Sequence, residues 1–265
     1  MSGPTVALST AAFFARPLAD TIALAADSGY RCIEVMVTKD PASQDPYEMR
    51  RLADAYDVEI RALHAPALLL TRSVWGTDPI GKIDMATRVA KTAGVPLVVM
   101  HPPYRWQRAY RRWLLASLPG VEDRTGVIVA IENMFPVHVG SRPLMFHANQ
   151  DLDQLAGLPH LVLDTSHAAV ARHNLSAVRE SFGERLRHVH LSDNAGKGWD
   201  SHLPPGEGVL DIEGFLRGLG ASDFAGTVSI EVDLRKRLAD PAALRALLIS
   251  MRERTEAGLA NGSVS

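Results

Sequence analysis

The chain has 265 residues, 46% of them hydrophobic, a formal net charge of −2 and one cysteine, Cys32. That length fits one large α/β barrel or two small domains, and the near-neutral charge gives no general attraction for nucleic acid or an anionic membrane. A lone cysteine excludes an intramolecular disulfide, the N-terminal stretch lacks the basic start and apolar core of a signal peptide, and no apolar run is long enough to span a bilayer. A soluble, cytoplasmic protein is the expectation.

Residues 5–9 (TVALS) suit a first strand, and the apolar-periodic segment 17–26, stopped by Ser28-Gly29, a first helix. The alternation continues with strand 31–37, helix 46–56, strand 58–63, a helix over 78–93 stopped by Gly94, and strand 97–100. Residues 105–118 are helical by period and should end at Pro119-Gly120. Strand 127–131 precedes a longer loop, 134–147, and a short helix over 150–156 leads into LVLD at 161–164. Beyond His167 the pattern gives helix 175–182, strand 186–191, a Gly- and Pro-rich loop over 193–208, and a helix capped by Asp211. Strand 227–232 and a last helix over 241–256 follow. Residues 1–257 therefore read as a single (β/α)8 TIM barrel, an α/β fold, with GLANGSVS at 258–265 as a flexible tail. A doubly wound open sheet is the alternative, but no Gly-rich phosphate loop follows the first strand.

In such a barrel the chemistry sits where the strands end. The third strand ends on His64 (RALHAP), the fourth on His101 (VVMHPP), the fifth on Glu132 (VAIEN), the sixth on Asp164 (LVLD), the seventh on His190 (HVHLSD) and the eighth on Glu231 (VSIEVD). Asp and Glu number 30 and His 10 in the whole chain, so six successive strand ends of this kind are not chance. Carboxylates gathered in one barrel mouth would repel and take up protons, whereas a divalent cation keeps them ionised. Mixed His and carboxylate donors suit zinc, manganese, iron or cobalt better than calcium or magnesium. His167, three residues past Asp164, and Asp200 with His202, in the long loop after the seventh strand, are candidates for further metal positions; one to three ions per chain fit this inventory.

Other residues have plainer readings. Asp164 alone would serve as a helix cap. His188 points to the same barrel face as His190 one layer deeper and reads as a hydrogen-bonded core histidine, while His138, His147, His160 and His173 fall in loops and read as solvated. Glu34 either orients a ligand or pairs with a neighbour. The run from Tyr104 to Trp113 (YRWQRAYRRW) is either a phosphate or nucleic-acid contact or a solvated helix with its aromatic residues packed inward.

HAP at His64, HPP at His101, EN at Glu132, DTSH at Asp164, HLSD at His190, HLPPGEG at His202 and the final Glu231 together resemble the xylose-isomerase-like TIM barrels, over nearly the whole chain. That superfamily includes sugar isomerases and epimerases and the endonuclease IV nucleases. Similarity to the epimerases implies that Glu132, Asp164, His190 and Glu231 bind one metal, that Glu132 and Glu231 are the catalytic proton carriers, and that His64, His101 and His167 reach the substrate. Similarity to endonuclease IV implies three zinc ions: His64, His101 and Glu132 on one, Glu132, Asp164, His190 and Glu231 on a second, and His167, Asp200 and His202 on a third. Departures count against the nuclease: Ala67 stands where that branch has an inserted Tyr, and the loop TKDPASQDP replaces an Arg-rich one. The epimerases carry a substrate-holding Arg beyond the seventh strand where this chain has NAGKG, which leaves Lys197 as the substitute, without a planar bidentate fork.

The favoured reading is a metal-dependent sugar or sugar-phosphate isomerase or epimerase acting by enediolate proton transfer on a small carbohydrate. A multi-zinc phosphodiesterase is the alternative, and a binding-only barrel a third class. Nucleic acid and membrane are not expected partners, and a homo-oligomer stays open.

Overall fold

The structure is a computed structural model; it describes residues 3–14, 16–66, 71, 73–139, 142–148, 152–155 and 157–262. Five strands come first: β1 (Thr5–Ser9), β2 (Cys32–Met36), β3 (Glu59–His64), β4 (Leu97–Met100) and β5 (Ile128–Glu132). A short antiparallel pair, β6 (Val137–Val139) and β7 (Arg142–Leu144), follows within the segment expected to be a loop. Then come β8 (Leu161–Asp164), β9 (Leu186–Leu191) and β10 (Thr227–Ile230). All but β6 and β7 pair in parallel, in the order β1-β10-β9-β8-β5-β4-β3-β2, and β1 pairs with β2 to close the barrel.

Alternation along each strand builds two concentric cores. Leu8, Ile33, Leu63, Val98, Val129, Ile131, Leu163 and Val189 belong to the large core shared with the helices, whereas Ala62, Leu97, Val99, Ala130 and Val162 form a separate apolar cluster inside the barrel. Two residues beyond Ala62, Val99, Ala130 and Val162 stand His64, His101, Glu132 and Asp164. A period of two therefore carries each apolar interior position up to an ionisable one, and small residues such as Ala62, Ala130 and Ser229 leave room beneath the larger groups.

The outer layer consists of α1 (Leu18–Asp27), α2 (Pro46–Tyr56), α3 (Pro79–Ala93), α4 (Arg108–Ala116), α5 (Leu118–Thr125), α6 (Leu152–Leu155), α7 (Thr165–Val170), α8 (Leu175–Phe182), α9 (Ile212–Gly220) and α10 (Pro241–Gly262). Asp45, Asp78, Asn174 and Asp211 cap α2, α3, α8 and α9 by accepting first-turn backbone N–H groups, and Gly94, at φ +79°, ends α3.

Two expectations are corrected. Pro119-Gly120 does not end the helical stretch; Pro119 is the second residue of α5, where its missing N–H costs nothing because first-turn donors have no partner inside the helix. The C-terminal residues are not a frayed tail as far as Gly262: α10 continues, Leu259 is buried, and a Cβ on Gly262 would overlap the Arg217 carbonyl of α9. Glycines that read as fraying are points of close helix contact. No helix among the described residues is long and apolar enough to cross a membrane.

Candidate metal centre

The six strand-end residues converge. His64, His101, Glu132, Asp164, His190 and Glu231 are all at most 8% exposed, although three are carboxylates that water would otherwise solvate. Glu132 is the hub. Its Oε1 lies 3.0 Å from His190 Nδ1 and 3.4 Å from His167 Nδ1, and its Oε2 lies 3.1 Å from His101 Nε2 and 3.7 Å from His64 Nε2. Glu231 Oε2 approaches the same His190 Nδ1 at 2.9 Å, so one imidazole nitrogen stands between two carboxylates.

Asp164 is the helix cap that one reading of it expects, and its second oxygen is left over. Its Oδ1 accepts the His167 backbone N–H at 2.7 Å and caps α7; its Oδ2 faces His190 Nδ1 at 3.9 Å and accepts no hydrogen bond. Glu132 Oε2 likewise accepts no well-aligned hydrogen bond, despite the imidazole nitrogens near it. Two buried carboxylate oxygens without hydrogen-bond donors suit the ligands of a cation.

The outer group comes from α7 and the loop after β9. Asp200 Oδ2 lies 2.8 Å from His202 Nε2 and 3.4 Å from His167 Nε2, and Asp200 Oδ1 accepts the Ser166 hydroxyl at 2.6 Å. His202 has φ +41°, an uncommon left-handed conformation for a non-glycine residue, and its Nδ1 is 2.9 Å from the Glu231 carbonyl oxygen. Asp193 holds this loop by accepting the backbone N–H groups of Gly206, Gly208 and Leu210. A Cβ on Gly208 would overlap that carboxylate and the Asn194 carbonyl.

Among the described residues five sets of donor atoms, each set within 4.8 Å, could hold an ion: His64, His101 and Glu132; Glu132, Asp164, His190 and Glu231; Asp164, His167 and His202, with Asp200 beside His202; and two that overlap these, His64 with His190 and Glu231, and Glu34 with His188 and His190. Their N and O donors fit zinc, manganese or cobalt. The electrostatics agree. Burial alone would strip the proton from His190, but Glu231, Glu34 and Glu132 outweigh it and raise its pKa well above the ordinary value. Burial opposes protonation of His167 too, yet Asp164 and Asp200 lift its pKa to about 10. Burial, helped by Glu132 and Asp200 and opposed by His167 and His202, pushes Asp164 up to about 6. Without a metal, protons do the work of charge compensation.

Several residues that sequence reasoning left open or passed over have clear places. Glu34 Oε2 lies 3.0 Å from His190 Nε2 and 2.5 Å from His188 Nε2, and Ser9 donates to Glu34 Oε1 at 2.9 Å. Glu34 thus fixes the ring whose other nitrogen faces the cavity, the arrangement of a carboxylate behind a ligating histidine. His188 is the core histidine it was expected to be. Asn133 bonds Asp164 through its side chain in both directions, and its carbonyl oxygen is 2.9 Å from His167 Nδ1; the EN dipeptide was its only sequence signal.

Lys197 is exposed on the loop after β9. The loop histidines depart from expectation. His147 is not a solvated loop residue: its ring stacks on Tyr104 at 4.5 Å, and burial, with His101 and His167 nearby, brings its pKa down to about 3. His160 is half-buried, 3.6 Å from Glu122. His173 is partly exposed, nothing is described of the His138 side chain, and Ala67 lies outside the described residues.

Known proteins resemble this chain at two levels. An uncharacterized protein of Mycobacterium leprae is 34% identical over 246 residues, covering 86% of this chain and 88% of its own. The solved L-ribulose 3-epimerase superposes with a TM-score of 0.71 at 17% identity, over 98% of this chain and 96% of that one. A family 2 AP endonuclease from Brucella melitensis gives 0.66 at 16% identity, over 90% and 97%. At those identities the two structures speak for the fold alone. Residues 22–254 match the family described as xylose isomerase-like TIM barrel, and the chain belongs to that family.

Proposed function

We propose that the protein is a divalent-metal-dependent isomerase or epimerase of small hydroxycarbonyl compounds, sugars or their phosphates. The observation that carries this reading is the inner donor set, in which Glu132 and Glu231 flank His190 Nδ1 at 3.0 and 2.9 Å inside a closed, buried barrel mouth. Glu132, Asp164, His190 and Glu231 would hold the ion, which when bound polarises a substrate carbonyl and acidifies the adjacent C–H. Glu132 and Glu231, on opposite faces of the substrate, take the proton from one carbon and return it. Glu34 keeps the His190 ring in place, and His64, His101 and His167 offer N–H groups to the substrate oxygens. Burial excludes water from the proton's path.

The second reading, a multi-zinc phosphodiesterase, is favoured by one observation: the outer histidines, with Asp200, supply donors for further ions beside the inner set. Against it, the loop after β2 carries only Lys39 as a base, and it spends its polar groups on itself, as in Ser43 with Asp40 and Gln44 with Thr38. Deuterium wash-in from solvent across a panel of ketoses and aldoses, run beside incision of a duplex carrying an abasic site, decides the matter. Exchange without incision is expected. Metal-dependent incision at enzyme-like rates, without exchange, replaces this reading with the second.

A further inference from the structure

A second concave feature adjoins the cluster and has no part in the reading above. Arg108, Arg111 and Arg112 fall three and four residues apart on α4, and Arg105 lies three residues before them. All four line one cavity of about 710 Å³, walled on the other side by Met145 and His147. That volume is in the range of small-molecule sites. No lining residue among the described ones is acidic, and the sequence has no Asp or Glu at all between Asp84 and Glu122. None of these four arginine side chains makes an ion pair or hydrogen bond among the described residues.

Like charges at such spacing repel, and a merely solvated helix face normally intersperses them with carboxylates. Here the inward face is fully committed: Tyr110 is buried and donates to the His101 carbonyl at 3.1 Å, and Leu114 is buried beside it. The stretch leading into α4 is tied to the 145–148 segment by the Arg105 N–H on the Phe146 carbonyl, 2.9 Å, and the Ala148 N–H on the Pro103 carbonyl, 2.7 Å. His147 is the shared wall. It lines the arginine cavity, stacks on Tyr104, and feels the charges of His101, His167 and Glu132 on its other side.

From this placement we infer that the arginine cavity is a subsite for a phosphate monoester, so that the compound transformed at the metal centre is a phosphorylated one. The identity of the reaction rests on the isomerase reading; the subsite does not. Several guanidinium forks converging on one cavity match a tetrahedral dianion, which takes more than one bidentate donor, better than a single carboxylate. The net charge of −2 and the gathering of these four arginines around one cavity favour a small ligand over a nucleic-acid strand.

The test uses metal-loaded protein and the double variant Arg108→Ala with Arg111→Ala, which should fold because alanine favours an exposed helix face; a thermal melt checks this. The first readout is inorganic phosphate binding by calorimetry. Affinity should fall by about tenfold to a hundredfold in the variant, the loss expected for charge-assisted hydrogen bonds. Phosphate that does not bind wild type, or binds both proteins equally, overturns the subsite. The second readout is the ratio of kcat/KM for a ketopentose 5-phosphate to that for the free ketopentose, which should be high in wild type and collapse toward one in the variant. A ratio near one in wild type also overturns the inference. If phosphate binding depends on the arginines but no sugar exchanges solvent deuterium, the isomerase reading fails and the subsite stands. Arginine-dependent incision of abasic duplex would show that the phosphate belongs to a polymer and overturn the small-molecule assignment.

Discussion

The lower and upper layers of the barrel interior follow the same alternation and are built for opposite ends. Below, Ala62, Leu97, Val99, Ala130 and Val162 pack together and need no partner but each other. Two residues higher, His64, His101, Glu132 and Asp164 are equally buried and need charge compensation from outside their own strands. The lower layer draws free energy from removing apolar surface from water; the upper one gives it up by desolvating ions. Stability and chemistry are therefore separated by one step of a strand.

The sharpest way to break the contrast is to remove the upper charges. Glu132→Gln with Glu231→Gln should abolish tight metal binding and turnover, and elemental analysis showing native metal content in that variant would sink the ligand assignment. Glu34→Gln leaves every donor in the inner set but loosens His190, and metal affinity should drop by about tenfold to a hundredfold, as when the partner behind a ligating histidine is lost. A chelator competition curve unchanged from wild type would reduce Glu34 to a structural role.

The lower layer should respond in the other currency. Val162→Ala is expected to cost roughly 1–3 kcal/mol in denaturant unfolding through lost contacts and a cavity, with metal stoichiometry retained. Metal loss at native-like stability would mean that the layers are not separable.

Proton release is the subtlest expectation. Because Asp164 and Asp200 overcome the effect of burial and raise the His167 pKa from 6.5 to about 10, its charged form contributes to the stability of the metal-free fold below pH 6.5 and the contribution is lost as pH rises through about 10. At pH 7 an ion entering the outer group must therefore expel that proton. Metal titrations in two buffers of different ionisation enthalpy should give different heats, and identical heats would mean that His167 is already neutral.

How much of this was legible in the sequence follows from range. The strand ends were legible because a barrel interior repeats every two residues, so LVLD or VAIE announces both its strand and its last side chain. His167, Asp200 and His202 were visible as candidates, but their grouping came through resemblance, since nothing local tells His202 that its backbone will turn left-handed toward Glu231. Glu34 was left undecided because its partners His188 and His190 lie 154 and 156 residues away. Pro119 and Gly262 misled for a different reason: each is a punctuation residue in general statistics, and only the neighbouring turn or helix decides what it punctuates.

Asp164 has one consequence beyond its own position. A single carboxylate grips the first turn of α7 with one oxygen and turns the other toward His190, so the seat of His167 is geared to the inner set. Whatever pulls on Asp164 from within the barrel also tugs the helix that carries His167. Inner and outer positions are thus mechanically yoked: a substitution at residue 164 displaces two groups at once, and the pair can be remodelled only together.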